Sequence, residues 1–215
     1  MNKFIQSILD ALKARECMQT QPEIICKEPE YLPYSTDIAN DFIKFFEGRY
    51  IDKKNNMHRA YLDPVGVWTV GYGHVIIVNG KMCVGVNSKK KGIIVANFES
   101  LPINMQFLSE EAANDMLARD LRYYYNKIIK MVKYSLNNYE IAALMSFCYN
   151  VGLGNFRISR LFRLINYNQF GDEYYDSIME AFLRFNKAGG MIFKGLTKRR
   201  IAECRLFYGQ YLLPR

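Results

Sequence analysis

DPVGVWTVGYGH, residues 63–74, packs a proline, the only tryptophan of the chain and three glycines into one short stretch. An ordinary hairpin needs only a proline and one glycine for its turn, and further glycines weaken the strand that follows. The excess marks a backbone that bends sharply and lets something else come close. Pro64 suits the second position of a turn opening at Asp63, and Gly66 suits its fourth. Local chemistry alone therefore brings Asp63 and Thr69 onto neighbouring strands.

Outward from this turn the pattern is helix, small sheet, then helices. Upstream, Ile38, Phe42, Ile43, Phe45 and Phe46 carry a helix from about Ser35–Asp37 to Glu47, with Gly48 to end it. Downstream, the β-prone runs and glycines of residues 59–108 predict a small sheet. From Ser109 a serine cap, two acids and the stripe Ala113, Met116, Leu117, Leu121 and Tyr124 predict a long helix. Further helices are expected at about 138–150, 156–166, 172–186 and 197–208. The fold class is α+β.

Residues 1–36 read as an N-terminal appendage, an amphipathic helix over Phe4–Leu12 followed by QPEIICKEPEYLPYST with its three prolines; residues 37–215 form the main domain. Gln6, Asp10 and Lys13 interrupt the first apolar run, so it is not read as a secretion signal. No window reaches the roughly 20 apolar residues of a membrane span, and synthesis in the cytoplasm without stable membrane insertion is expected.

With 29 Lys plus Arg against 21 Asp plus Glu, the net charge of +8 favours an anionic partner: nucleic acid, a membrane surface or an acidic wall polymer. Tyr123–Tyr125 with Lys127, Lys130 and Lys133 suggest nucleic-acid contacts, but on one helix they read better as one buried aromatic and an amphipathic surface. No nucleic acid is expected, and Lys89–Lys91 read as a solvated loop. The five cysteines make no CxxC pair and read as reduced, packed thiols, and neither His58 nor His74 has a second ligand at metal spacing, so no metal is expected. His58 reads as solvated. Trp68 between two valines reads as core, with sugar stacking as the alternative.

Glu47, Asp63 and Thr69 form the candidate chemistry. The negative end of a helix dipole would favour a protonated Glu47, and an ionised Asp63 on the opposite arm would serve water activation. Two carboxylates in contrasting environments are what glycosidic hydrolysis uses. From spacing alone, however, an isolated Glu, Asp and Thr are more often surface or capping residues.

Six blocks taken in order change that balance: FIKFFEG, AYLDPVGVWTVGYGH, LSEEAANDMLARDL, SFCYNVGLGNF, AFLRFNKAGG and GLTKRRIAE. Together they resemble the successive signatures of phage-type lysozymes, glycoside hydrolase family 24, particularly the lambdoid-phage endolysin branch. The resemblance implies a lysozyme-like fold, with a small β-sheet lobe inserted between an N-terminal helix and a larger C-terminal helical lobe. It also implies a muramidase that cleaves the β-1,4 bond between N-acetylmuramic acid and N-acetylglucosamine in bacterial peptidoglycan, without a cofactor.

By the same resemblance Glu47 is the general acid, Asp63 positions or activates water and Thr69 completes the water site. Inversion is the family's usual outcome, with carboxylates about 6.5–9.5 Å apart. Tyr72, Asn150, Arg199 and Arg200 are assigned to substrate, the arginines to its acidic peptide stem or to ordinary salt-bridge packing. His74 anchors the small lobe through a hydrogen bond or a carboxylate, while Gly71 and Gly73 leave room for sugar or helix. A monomer released through a holin-made lesion is the expected biology.

The interval from Glu47 to Asp63 is longer than in typical members, so RYIDKKNNMHR is read as an insertion before Ala60, and Asp63 rather than Asp52 as the aspartate. A second enlargement covers NGKMCVGVNSKKKGIIVANFESLPINMQF. The competing functions are a lytic transglycosylase, which needs the Glu but not Asp63 and Thr69, and a non-catalytic wall-binding or structural protein.

Overall fold

The computed structural model describes residues 34–188 and 190–210. The helix and linker expected in the N-terminal appendage, with Cys17 and Cys26, lie outside the described residues, apart from residues 34–36, which open the first helix. The chain divides into two compact units, one running Ala39–Lys127 and the other taking the residues up to Ile38 with those from Ile128 onward.

Helix α1 (Tyr34–Glu47) runs from the last residues of one unit into the Ala39–Lys127 unit, where Ala39, Phe42 and Ile43 are buried, the face its apolar spacing foretells. Gly48 ends it with φ +67°, returning its amide to the Lys44 carbonyl at 3.2 Å. Three small sheets follow. The first joins β1 (Ile51–Asp52), β2 (Met57–Arg59) and β9 (Phe107–Leu108), all antiparallel, with His58 opposite Ile51 on one side and Leu108 on the other. The second joins β3 (Tyr61–Leu62), β4 (Trp68–Val70) and β5 (His74–Val75), pairing Tyr61 with Thr69 and Val70 with His74. The third joins β6 (Ile77–Val78), β7 (Lys81–Val84) and β8 (Ile93–Ile94), antiparallel and then parallel.

Strands thus begin at Ile51, earlier than the expected start of the sheet, and RYIDKKNNMHR is a paired hairpin instead of a polar excursion. His58 corrects its expected exposure: it is 1% exposed, on the middle strand of its sheet, with its ring 5.0 Å from that of Tyr72 and its Nε2 3.0 Å from Glu110 Oε2. A short helix α2 (Ile103–Gln106) leads into β9, and Ser109 caps α3 (Glu110–Met131) by accepting from the Ala112 amide at 3.1 Å. Ala113, Met116, Leu117 and Leu121 are buried along α3; none of Tyr123, Tyr124 and Tyr125 is fully so, contrary to the expected single buried aromatic.

In the other unit, α4 (Asn138–Val151) opens with a reciprocal capping box: Asn137 accepts from the Tyr139 and Glu140 amides, and Glu140 accepts from the Asn137 amide at 2.8 Å. Nine consecutive residues, Glu140–Cys148, are buried, so α4 is covered on all sides as a central helix must be. Phe147 meets Phe156, Phe182 and Phe185 edge-on at 6.2, 5.3 and 5.1 Å, contacts worth about 0.5–1.5 kcal/mol each beyond burial. Around it lie α5 (Leu153–Ile158), α6 (Arg160–Asn166), α7 (Tyr175–Leu183) and α8 (Lys194–Phe207), with the hairpin β10 (Lys187–Ala188) and β11 (Met191–Ile192) before α8. The single helix expected over 156–166 is broken because Ser159 is extended and starts α6 by accepting from the Phe162 amide at 3.0 Å. Likewise α7 is preceded by a 3-10 turn, Asp172–Tyr174, and α8 starts three residues earlier than expected.

Candidate active site

Asp63 is held by its own turn. The Gly66 amide donates to the Asp63 carbonyl at 2.9 Å, and the Asp63 carboxylate Oδ1 accepts from the Val65 and Val67 amides at 2.9 and 2.8 Å. This is the three-residue hairpin loop in which a type I turn is followed by a left-handed residue, here Gly66 at φ +78°. Both turn bonds fall on Oδ1, leaving Oδ2 outside the turn. The half-buried carboxylate is fixed by backbone, with one oxygen available for chemistry.

Across the hairpin, Thr69 stands opposite Tyr61, so the two side chains share one face of the sheet. Thr69 is 4% exposed, and its hydroxyl donates to the Val67 carbonyl at 3.2 Å. Alternation puts Asp63, two residues beyond Tyr61, on the same face. The Tyr61 phenol is raised above its usual value by burial first, then by the charge of Glu47, then by that of Asp63. One tyrosine therefore stands within electrostatic reach of both carboxylates while facing the threonine.

Glu47, at the last position of α1, is half-buried. Two residues on, Arg49 reaches Glu110 at 3.3 Å. Glu110 is a hub: Oε2 also meets His58 Nε2 at 3.0 Å, and Oε1 accepts from the Tyr72 hydroxyl. The Glu110 carboxyl is held down from 4.5 to about 2, by the Tyr72 hydroxyl first, against an opposing push from burial, and then by His58 and Arg49. The Tyr72 phenol is pushed up from 10.0 to about 12 by burial and by this same bond. The segment after Glu47 and the strand before Asp63 are thereby tied to one carboxylate.

Three of the residues expected at the substrate, Tyr72, Arg199 and Arg200, are turned inward, the two arginines into the salt-bridge packing that was their alternative reading. Tyr72 is 4% exposed and spends its hydroxyl on Glu110, so it packs inside the unit instead of facing glycan. In the other unit, Arg199 and Arg200 are 4% and 0% exposed, because both turn inward to Glu203. Glu203 Oε1 accepts from Arg199 Nε at 3.1 Å, Arg200 Nη2 at 3.0 Å and Ser146 Oγ at 2.7 Å. Arg200 Nε stands 2.9 Å from Glu203 Oε2 without hydrogen-bond geometry, an ion pair only. Burial pushes the Glu203 carboxyl up, against the pull of both arginines. Asn150 is exposed near the end of α4, its Oδ1 accepting from Arg200 Nη2 at 3.1 Å.

His74 Nδ1 meets Asp120 Oδ2 at 2.7 Å, so its partner is a carboxylate. Gly71, at φ +66°, has Ala113 of α3 only 3.5 Å from where a Cβ would stand, so the close neighbour there is a helix. Trp68 is core, with its indole donating to the Val95 carbonyl at 3.0 Å. Asp52 caps its own hairpin turn, Oδ1 accepting from the Lys54 and Asn55 amides at 2.9 and 3.3 Å. Among the described residues no cluster of His, Cys, Asp or Glu is placed to hold a metal ion, and no helix is long and apolar enough to cross a membrane.

Tyr61 was not singled out from the sequence, although its position two residues before Asp63 in AYLDPVG was the available signal. It borders a cavity of about 430 Å³ walled by Tyr50, Arg59, Trp68 and Phe98. A second cavity, of about 540 Å³, opens on the Asp63 turn.

The family model for phage lysozyme matches residues 54–203. Asp63 and Thr69 fall inside that match, and Glu47 and Asp52 precede it. A SAR-endolysin of Bacteriophage PS119 is 31% identical over 148 residues, 68% of this chain and 71% of that protein. The endolysin of Bacillus phage B103 is 36% identical over 102 residues, 47% of this chain, and the match spans 37% of that relative's length. Among solved structures, an endolysin from Escherichia coli O157:H7 phage FAHEc1 has the same fold, with a TM-score of 0.60 over 86% of this chain and 97% of that one at 24% identity.

Proposed function

The chain belongs to the phage lysozyme family, and from that premise we propose that it hydrolyses the bond between N-acetylmuramic acid and N-acetylglucosamine in peptidoglycan, as a lysozyme-type endolysin. In this reading Glu47 donates its proton to the glycosidic oxygen as the bond breaks. Asp63, through the oxygen its turn leaves over, takes a proton from a water on the opposite face of the sugar. Thr69, whose own proton goes to Val67, accepts a hydrogen bond from that water. Attack from the far face inverts the anomeric carbon. The observation that carries the reading is Tyr61, which stands opposite Thr69 and whose phenol is pushed up by burial and then by the charges of Glu47 and Asp63.

The basic surface would hold the enzyme to an anionic wall after its release from the cytoplasm through a holin lesion, where it acts as a monomer. A transglycosylase has no use for a water-directed aspartate, and Asp63, with one carboxylate oxygen outside its turn bonds, favours hydrolysis. The test is digestion of purified wall by the wild type, Glu47→Gln and Asp63→Asn, with mass spectrometry of the sugar ends. Reducing ends from the wild type, and a loss of about 10²–10⁴-fold in either variant, are expected. A 1,6-anhydro product would overturn hydrolysis, and wall binding without sugar release would leave only a binding protein. Asp52→Asn should remain active; if it is dead while Asp63→Asn is not, the aspartate has been misassigned.

A further inference from the structure

The second enlargement of the chain builds a wall of its own beside the Asp63 turn. β7 bridges to the hairpin between Val67 and Val84, the Gly85 amide donates to the Gly66 carbonyl at 2.9 Å, and Ser88 Oγ donates to the Val65 carbonyl at 2.9 Å. The fit is tight: a Cβ on Gly66 would stand 2.9 Å from Ser88 Cβ, and one on Gly92 2.3 Å from the Met82 carbonyl oxygen. The enlargement is clamped to the turn, and the cavity of about 540 Å³ lies between them. That volume is in the range of small-ligand sites, roughly 300–1,000 Å³.

Its chemistry is specific. The lining carries no aromatic ring, unlike the neighbouring cavity beside Tyr61, so it offers no platform on which a sugar face would stack. It offers an apolar wall from Leu62, Pro64 and Val86 and two exposed ammonium groups, Lys89 and Lys90, with Asp63 at its edge. Arg199 and Arg200, the expected partners of acidic stem carboxylates, are buried against Glu203 and cannot serve. Resting on the muramidase reading above, we infer that this cavity is a subsite for the peptide stem of peptidoglycan: small alanyl side chains lie against the apolar wall and the stem carboxylates pair with Lys89 and Lys90. The enzyme then selects peptide-bearing strands over bare glycan.

Two measurements on the full chain test this. In the first, kcat/KM is compared on peptide-bearing strands and on strands stripped by an amidase, for wild type and Lys89→Gln/Lys90→Gln. The wild type should prefer the peptide-bearing form by about tenfold, and the double variant should lose most of that ratio at low salt. An unchanged ratio overturns the subsite. In the second, the tripeptide L-Ala-γ-D-Glu-meso-diaminopimelate is titrated while backbone amides are followed by NMR. Shifts confined to residues 62–66 and 85–90 and lost in the double variant support the subsite; shifts elsewhere, shifts that survive the substitutions, or no shifts overturn it. Should the wild type cleave neither strand while the tripeptide binds through the lysines, the muramidase reading falls and the subsite stands.

Discussion

Replacing Glu110 by Gln should destabilise the protein at neutral pH and do so less and less as the solution is made acid. Glutamine has the shape of the protonated acid, so it isolates the charge. The folded carboxyl sits at about 2 against an ordinary value of 4.5. At 1.36 kcal/mol per pH unit that gap is at most about 3.4 kcal/mol. The Glu110 side chain is 48% exposed and Arg49, one of its partners, is 58% exposed, so solvent screening takes much of this away. An effect of about 1–2 kcal/mol is expected.

The sign follows from the depressed value. The stabilisation is complete above the unfolded value near 4.5 and is lost as pH falls through that value to about 2. The rise of the Tyr72 phenol to about 12 describes the same contact from its other end and adds nothing further. Urea unfolding of wild type and Glu110→Gln at pH 7, 4 and 2.5 would give the difference directly. A difference that is zero at pH 7, or as large at pH 2.5 as at pH 7, refutes the charge argument.

Asp63→Asn retains an oxygen for the Val65 and Val67 amides and should keep wild-type stability, whereas Asp63→Ala strips both bonds and should cost about 1–2 kcal/mol in thermal unfolding. Glu203→Gln removes the buried carboxylate that Arg199 and Arg200 share, and should cost about 3–5 kcal/mol by denaturant titration; a loss under 1 kcal/mol would mean that the cluster is not a dry ion network. Gly71→Val forces a β-branched residue to φ +66° beside Ala113 and should cost about 1–3 kcal/mol, read as a lowered melting temperature; an unchanged melting temperature would refute the strain.

What could be read from residues alone was what neighbouring residues determine. The DPVG turn and the Ser109 cap are made by side chains a few positions from the backbone they satisfy, and both formed as their residue types require. Helix order was equally legible, because one apolar stripe per helix survives whatever packs on it. His58 was misread because its surroundings, the Leu108 strand and the Tyr72 and Glu110 side chains, come from elsewhere in the chain, and no local pattern carries those contacts. Arg199 and Arg200 looked like surface charge in a basic run. The clue was present in Glu203, three and four residues on, which faces both on one helix side. Tyr61 was passed over since a tyrosine in a strand is common, and its significance comes from what α1 and the turn bring to it.

Cys83, Cys148 and Cys204 are each no more than 1% exposed and unpaired, and burial pushes their thiols up, Cys204 to about 12 and Cys148 well above its usual value. Oxidation and disulfide exchange proceed through the thiolate and need access to it. A chain folded in a reducing compartment and then delivered to an oxidising one would carry these three sulfurs across unchanged. The exposure of these three thiols to an oxidant would be set by how often the fold around them opens.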